Sequence, residues 1–172
     1  VTVTAPAGGP DLTAFTAADD FGRSSSSGWG ASDKGGSWSA LYGAASAASV
    51  SGGVGRISLP AGQTRNMALS GVSVRDAQQM VRFSLSAAAS TGNSYVGLVS
   101  RQSSANDYTI RAFMQSSGMV TLVAKASSVT LTSTSVPGLT WAAGTDYMMK
   151  TEVTGSSPTT IRAKIWAAGA SE

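Results

Sequence analysis

From residue 54 onward the chain consists of short stretches in which apolar and polar residues alternate. In residues 79–86, for example, positions 81, 83 and 85 are apolar and positions 82, 84 and 86 are polar. Such alternation sends successive side chains to opposite faces of a pleated strand. Turn residues such as Pro60 and Gly118 separate the stretches. We therefore expect strands over residues 54–59, 63–69, 79–86, 94–101, 107–115, 119–125, 129–135, 147–154 and 159–166.

A succession of about ten short strands without any helix-period segment is typical of a β-sandwich. Several stretches are apolar on both faces, and we interpret residues 94–101 as a central strand for this reason. The predicted fold is all-β, a two-sheet antiparallel jelly-roll or lectin-like sandwich. Residues 1–10 are expected to be the end of a preceding module and its linker, and residues 11–172 a single sandwich domain. The only helical candidate is a short segment that Asp11 would cap.

The segment between residues 21 and 38 is dense in glycine and serine. Ordering a long irregular segment costs conformational entropy, so such a segment needs anchors. Phe21, Trp29 and Trp38 can supply them, because each buries a large apolar area.

The composition excludes several chemistries. The 172 residues include neither histidine nor cysteine, which removes Ser-His and Cys-His catalysis, most zinc sites and thiolate chemistry. The 12 basic and 9 acidic residues give a net charge of +3, and the basic residues are spread out rather than clustered, so we expect no nucleic-acid partner. No apolar stretch reaches the ~20 residues that a membrane-spanning helix needs, so we expect no membrane-spanning segment.

The acidic residues are the candidates for catalysis and for metal binding. A glycosidase needs two carboxyl groups on one face, whereas Asp107, Asp146 and Glu152 each stand alone on or beside a strand. We therefore expect no enzymatic activity. Asp20 and Asp33, beside the glycine-rich segment, could ligate calcium together with backbone carbonyl groups. The alternative is that they cap turns, and apart from calcium no cofactor is expected.

Basic residues in the middle of strands define the candidate binding surface. They alternate with predicted core residues and therefore point away from the core, where an indole and guanidinium groups suit sugar binding. The alternative is an ordinary solvent-facing surface on which charges prevent edge pairing. Trp166 is the leading binding candidate, because an outward indole needs an explanation. The predicted ligand-binding residues are Trp166, Arg162, Arg111, Lys164, Arg82 and Phe113, with Lys150, Glu152 and Thr109 expected to point outward beside them.

The front of the chain carries a pattern of glycine and aromatic residues. It runs Asp20-Phe-Gly-Arg-Ser, then Gly28-Trp-Gly, then Asp33-Lys-Gly-Gly-Ser-Trp38, and it continues through residues 51–59 and 158–169. This pattern resembles a concanavalin A-like module of minor tail proteins from bacteriophages that infect actinobacteria, a module that also occurs in large secreted proteins of those bacteria. The resemblance covers residues 20–172. It implies a non-enzymatic jelly-roll module at a virion tip or cell surface that binds glycan or envelope material, and it transfers no site residues.

The two ends of the sequence lead to two further expectations, one for each end. The sequence starts at Val1, without methionine or a signal-like segment, so we expect a segment of a longer protein. In the family that it resembles, further sequence returns to the sandwich after the strand corresponding to residues 159–166. We therefore expect an open edge beside that strand, with the final strand outside this chain, cleaved from it, or supplied by another chain.

The leading functional hypothesis is a structural and adhesive module of a phage tail. Its partners would be a bacterial surface glycan or envelope polymer and other virion or cell-surface subunits, and a homo-oligomer would be natural. One alternative is a glycan-binding accessory module of a secreted bacterial cell-surface protein, and another is a carboxylate-dependent glycosidase, which the isolated acids disfavour. The expected location is the virion tail or the outside of a cell.

Overall fold

The computed structural model describes residues 1–4, 14–88, 92–104 and 106–172. By its internal contacts the chain divides into two compact units, Val1–Ser73 and Val74–Glu172. The predicted linker over residues 5–10 and the start of the predicted helix, residues 11–13, lie outside the described residues. Among the described residues no helix combines the length and apolar character that crossing a bilayer requires.

In the part that the structure describes, the first unit contains five short strands and a 3-10 helix. The strands are β1 (Thr2–Thr4), β2 (Ser39–Tyr42), β3 (Ala48–Ser51), β4 (Val54–Ile57) and β5 (Asn66–Ala68), and the 3-10 helix is Ala45–Ala47. β4 pairs antiparallel with β1 and with β3, and β2 pairs antiparallel with β5. The opening residues, which the sequence analysis assigned to a preceding module, therefore form a strand of this unit.

Aromatic side chains anchor the glycine-rich segment of the first unit, as predicted. Phe21 and Trp29 are buried with residues of β3, and Trp38 packs against them. The Trp29 ring lies 5.2 Å from that of Phe21 and 4.9 Å from that of Trp38, both edge to face. A Cβ atom on Gly55 would lie 2.6 Å from the Phe21 ring, so close packing requires glycine at this position of β4.

The second unit is an antiparallel sandwich and confirms the predicted fold class. One sheet has the order β6–β11–β12 and the other the order β7–β8–β9–β10, a jelly-roll-like arrangement. The strands are β6 (Ala77–Ser84), β7 (Asn93–Ser100), β8 (Tyr108–Gln115), β9 (Met119–Ala126), β10 (Val129–Thr140), β11 (Tyr147–Thr154) and β12 (Thr160–Ala167). The hairpin loop predicted between β8 and β9 is present, with Gly118 at a positive φ of 86°.

The core of the second unit lies between its two sheets. Phe83, Met149 and Val153 of one sheet, and Ile110 of the other, are all 0% exposed. A polar contact crosses the same interface: the Gln79 amide donates to the Val99 carbonyl at 3.1 Å and accepts from the Ser100 hydroxyl at 2.8 Å. Because an unpaired polar group is costly in a core, these bonds hold β6 and β7 in one relative position.

Two strand predictions were wrong in detail. Residues 94–101 were expected to form a central strand, but β7 is the edge strand of its sheet among the described strands. Its outward Tyr95 packs edge to face on Phe113 at 4.2 Å, which explains the second apolar face. Residues 129–135 were expected to end before Pro137, but β10 continues to Thr140 through a register shift between residues 135 and 140. Proline is tolerated there because β10 is also an edge strand.

The core assignment predicts how two substitutions in β6 differ. Phe83→Ala removes a fully buried ring and should lower the free energy of unfolding by about 3–5 kcal/mol. Met80→Ala, on the same strand at a side chain that is 51% exposed, should change it by less than about 0.5 kcal/mol. Urea unfolding of both variants and the wild type measures the difference, and equal losses would contradict this core.

Candidate functional site

Most of the predicted binding residues lie on the outward face of the sheet β6–β11–β12. In β11 the residues alternate strictly, with Tyr147, Met149, Thr151 and Val153 buried and the intervening ones partly exposed. Continuous registers with both neighbours extend this alternation to the whole sheet. The outward side chains of this sheet form a surface that we call the charged face. Its members are Arg82, Met148, Lys150, Glu152, Arg162, Lys164 and Trp166.

The pairing registers determine which of these side chains are neighbours. Met148 lies opposite Arg82 on one side and opposite Trp166 on the other, so these three form one row across the sheet. Lys150 lies opposite Lys164, and Glu152 opposite Arg162, in the next rows. Directly opposed side chains are close enough to interact. The row of Met148 and Trp166 with one arginine is therefore followed along the sheet by two successive rows that carry charges.

Carboxylates neutralise most of the positive charge on this face. Two nitrogen atoms of Arg82 donate to Asp146 at 3.0 and 2.5 Å, and Arg162 lies 3.4 Å from Glu152. Glu172 lies 2.9 Å from Lys150 and 3.8 Å from Lys164. Four cations (Arg82, Lys150, Arg162 and Lys164) thus meet three carboxylates (Asp146, Glu152 and Glu172), which leaves a net charge of +1.

The environment of Glu172 favours its ionised form. Its hydrogen bond from Lys150 lowers the pKa of this carboxyl, and the positive charges of Lys150 and Lys164 lower it further. Sequence reasoning did not identify Glu172, Asp146 or Met148 as members of the site. Met148 could have been found, because it shares the outward register of Lys150, whereas the two carboxylates lie outside the strands that carry the alternation.

Two predicted site residues lie elsewhere, and the prediction of one shared patch was wrong for them. Arg111 and Phe113 belong to β8 in the other sheet, where Arg111 lies opposite Gly97 and Val123. They therefore share no face with Trp166. Thr109 has the outward register that was predicted for it, but it is only 5% exposed between its cross-strand neighbours Val99 and Lys125. Alternation alone predicts on which side of its strand a residue lies, but it does not predict which sheet contains that strand.

The predicted calcium ligands Asp20 and Asp33 lie in the first unit with Asp19. One carboxylate oxygen of each of the three lies within 4.8 Å of the others. Asp33 accepts the backbone N–H of Asp20 at 2.6 Å, and Asp20 accepts that of Gly22 at 2.6 Å. These are the local bonds of the alternative turn-capping interpretation, and the calcium interpretation stays a prediction.

Asp19, which the sequence analysis did not single out, organises this cluster. Its two oxygens accept four donors: both terminal nitrogens of Arg23 at 2.7 Å, the backbone N–H of Phe21 at 2.9 Å and the indole N–H of Trp38 at 2.6 Å. Its side chain is 2% exposed. The hydrogen bond to Asp19 raises the pKa of Arg23. Four bonds fill the acceptor capacity of a carboxylate, so Asp19 serves the local structure.

No family model, curated protein or solved structure matches this chain. Any functional assignment therefore has to be argued from the site itself.

The role of Asp19 predicts a difference between two neighbouring acids. Asp19→Asn leaves Arg23 without its partner and should lower the free energy of unfolding by about 2 kcal/mol, since Arg23 keeps some access to water. Asp20→Asn is the matched control, because Asp20 is exposed, and it should cost less than about 0.5 kcal/mol. Chemical denaturation compares the two, and equal effects would refute the central position of Asp19.

The calcium prediction has a separate measurement. If Asp20 and Asp33 bind calcium, excess calcium raises the melting temperature of the wild type, because a ligand of the folded state stabilises it. The rise should be lost in Asp33→Asn and should be absent when magnesium replaces calcium. An unchanged melting temperature in the wild type would contradict the prediction.

Proposed function

We propose that this chain is a non-catalytic β-sandwich module that binds a bacterial surface glycan on the charged face. The observation that carries the proposal is the row formed by Arg82, Met148 and Trp166, in which an outward indole lies across Met148 from an arginine held by a carboxylate. A sugar offers a face of C–H groups to an indole and hydroxyl groups to hydrogen-bonding side chains.

The ion pairs of this face suit hydroxyl groups. Arginine offers only donors and a carboxylate only acceptors, so the pairs Arg82–Asp146 and Arg162–Glu152 present both to a sugar hydroxyl. Pairing also restrains the long side chains before a ligand arrives, which lowers the entropy that binding must overcome.

The charge balance favours one class of glycan. A net charge of +1 over the four cations and three carboxylates gives little attraction for a polyanion, which would need unpaired lysine and arginine. The face therefore fits a neutral surface glycan better than an acidic envelope polymer.

The carboxylates support a non-catalytic role. Asp146 and Glu152 lie six residues apart, which along an extended strand is about 20 Å. A glycosidase pair requires a separation of ~5–9.5 Å. Each of these acids is also paired with an arginine.

The resemblance of residues 20–172 to phage minor tail modules supports placement in a virion tail as a structural and adhesive module. A glycan-binding accessory module of a secreted bacterial protein would use the same face. The sequence that flanks this chain in its parent protein distinguishes the two settings: tail-type repeats indicate the first, and a signal peptide with a catalytic domain indicates the second.

Binding to an array of bacterial glycans tests the proposal. Trp166→Ala should weaken binding roughly tenfold, the loss expected for one aromatic stacking contact, and Arg162→Ala should weaken it by a smaller factor. Arg111→Ala is the matched control, because it removes an arginine from the outward face of the other sheet, and it should bind as the wild type does.

The same array separates neutral from acidic ligands. Binding of a neutral glycan should change little between low and high salt, whereas binding of a polyanion should fall steeply because salt screens charges. Unchanged binding in both Trp166→Ala and Arg162→Ala would remove the charged face from the proposal, and a steep salt dependence would overturn the neutral ligand class.

A further inference from the structure

On one side of the second unit, the two sheets end in edge strands, β10 and β12, that differ in regularity. β10 ends the four-stranded sheet, and its pairing with β9 is interrupted by two register shifts, with Pro137 inside the second. Such bulges and prolines are the usual protection of an edge against further strands. β12 pairs with β11 through eight consecutive residue pairs without a shift, and among the described strands nothing pairs with its other side.

An apolar crevice of about 430 Å³ lies between these two edges, and we call it the edge crevice. Its walls include the inward side chains of β12 and part of β9, with Val136 and Pro137 of β10 opposite and Lys164, Trp166 and Glu172 at the β12 side. Among its lining residues are Leu122, Ile161, Ala163 and Ile165. Leu122 and Ile161 are only partly buried, although both point inward.

The exposure of Thr132 and Thr134 indicates that the crevice has room for another strand. They lie opposite Ala124 and Leu122 of β9 and so point to the inner side of their sheet, yet both are exposed. The inner side of β10 is therefore uncovered at Thr132 and Thr134 in the described part of the unit. One strand added beside β12 would cover these residues and the apolar lining.

We propose that β12 accepts a strand from another polypeptide, whose residues alternate between apolar and acidic. Backbone groups of β12 would pair with the added strand, as in other cases of strand addition. Its apolar side chains would enter the edge crevice, and its acidic ones would lie on the outer side beside Arg162 and Lys164. The proposal goes beyond glycan binding, because it uses the backbone edge of β12 and the inner face of the sheet in addition to Arg162 and Lys164 of the charged face.

The positive charges beside the edge of β12 favour a partner strand with acidic residues. Arg162 and Lys164 are 68% and 64% exposed, and Glu172 already places a carboxylate 3.8 Å from Lys164 at the crevice. Arg162 also has Glu152 at 3.4 Å, so a carboxylate on an added strand would have to take the position that Glu172 holds beside Lys164. A second copy of β12 would instead bring its own Arg162 and Lys164 against them, and directly opposed like charges are destabilising. The preferred partner is therefore not a second copy.

A synthetic peptide of about eight residues that alternates valine and glutamate is the probe, since natural strands have about this length. We expect it to bind the whole chain and to slow hydrogen exchange at the amides of residues 160–166. A twin peptide methylated on the backbone nitrogens that face β12 should lose binding, because it keeps the side chains but cannot form the strand hydrogen bonds. A peptide alternating valine and lysine should bind at least tenfold more weakly.

Two variants of exposed β10 residues locate the binding site without replacing any residue of the charged face. Thr134→Trp fills the edge crevice and should abolish peptide binding. Ser133→Trp is the matched control, because Ser133 is exposed on the same strand but lies opposite Val123 on the other face of the sheet. It should bind the peptide as the wild type does, and both variants should keep the glycan binding of the wild type.

Four outcomes would overturn the proposal. The peptide could fail to bind, or it could bind Thr134→Trp as well as the wild type, which would exclude the crevice. Equal affinity for the lysine peptide would exclude the acidic partner. A dimer of the chain alone in sedimentation, broken by Thr134→Trp but not by Ser133→Trp, would make a second copy the occupant.

Discussion

The pairing of β11 with a strand on each side is the constraint on which the rest of the second unit depends. β11 keeps an unshifted register with β6 over seven residue pairs and with β12 over eight. Because its side chains alternate, this single register places Met149 and Val153 in the core and Met148 and Lys150 on the outer face. A shift of one residue would exchange the two sets, which burial of the core forbids. The charged face is therefore the reverse side of the packing that stabilises the sandwich.

The outer face and the edge of the same sheet offer different chemistry. On the face, Arg82 and Arg162 are held by carboxylates, so the surface is nearly neutral and presents donors and acceptors together. At the edge, β12 offers backbone groups that no described strand pairs with, above an apolar crevice. Hydroxyl-rich ligands suit the first, and an extended peptide suits the second. The two surfaces adjoin, because Arg162 and Lys164 belong to the charged face and also lie beside the edge of β12.

Much of the fold and part of the candidate site could be predicted from the sequence. Residues 147–154 form a strand with the predicted bounds, and the outward direction of Arg82, Arg162, Lys164 and Trp166 follows from alternation with the core. The same rule placed Arg111 on an outer face, yet in the wrong sheet. Local periodicity carries no information on which strands are neighbours, since neighbours are chosen by contacts between distant residues. The continuation of β10 through Pro137 was missed for a similar reason, because a proline is tolerated in a strand only when that strand lies at an edge.

The β architecture, the aromatic anchoring of the glycine-rich segment by Phe21 and Trp29, and the lack of histidine and cysteine side chains can all be read from the sequence. These features depend on residue type and on spacing within one stretch of chain. The pairing of Asp146 with Arg82, a residue 64 positions away, and the position of β12 at the end of its sheet among the described strands, beside an apolar crevice, are visible in the folded chain alone. Charge pairing and edge position depend on which segments meet in space. That choice is made by the burial of the whole core rather than by any local pattern.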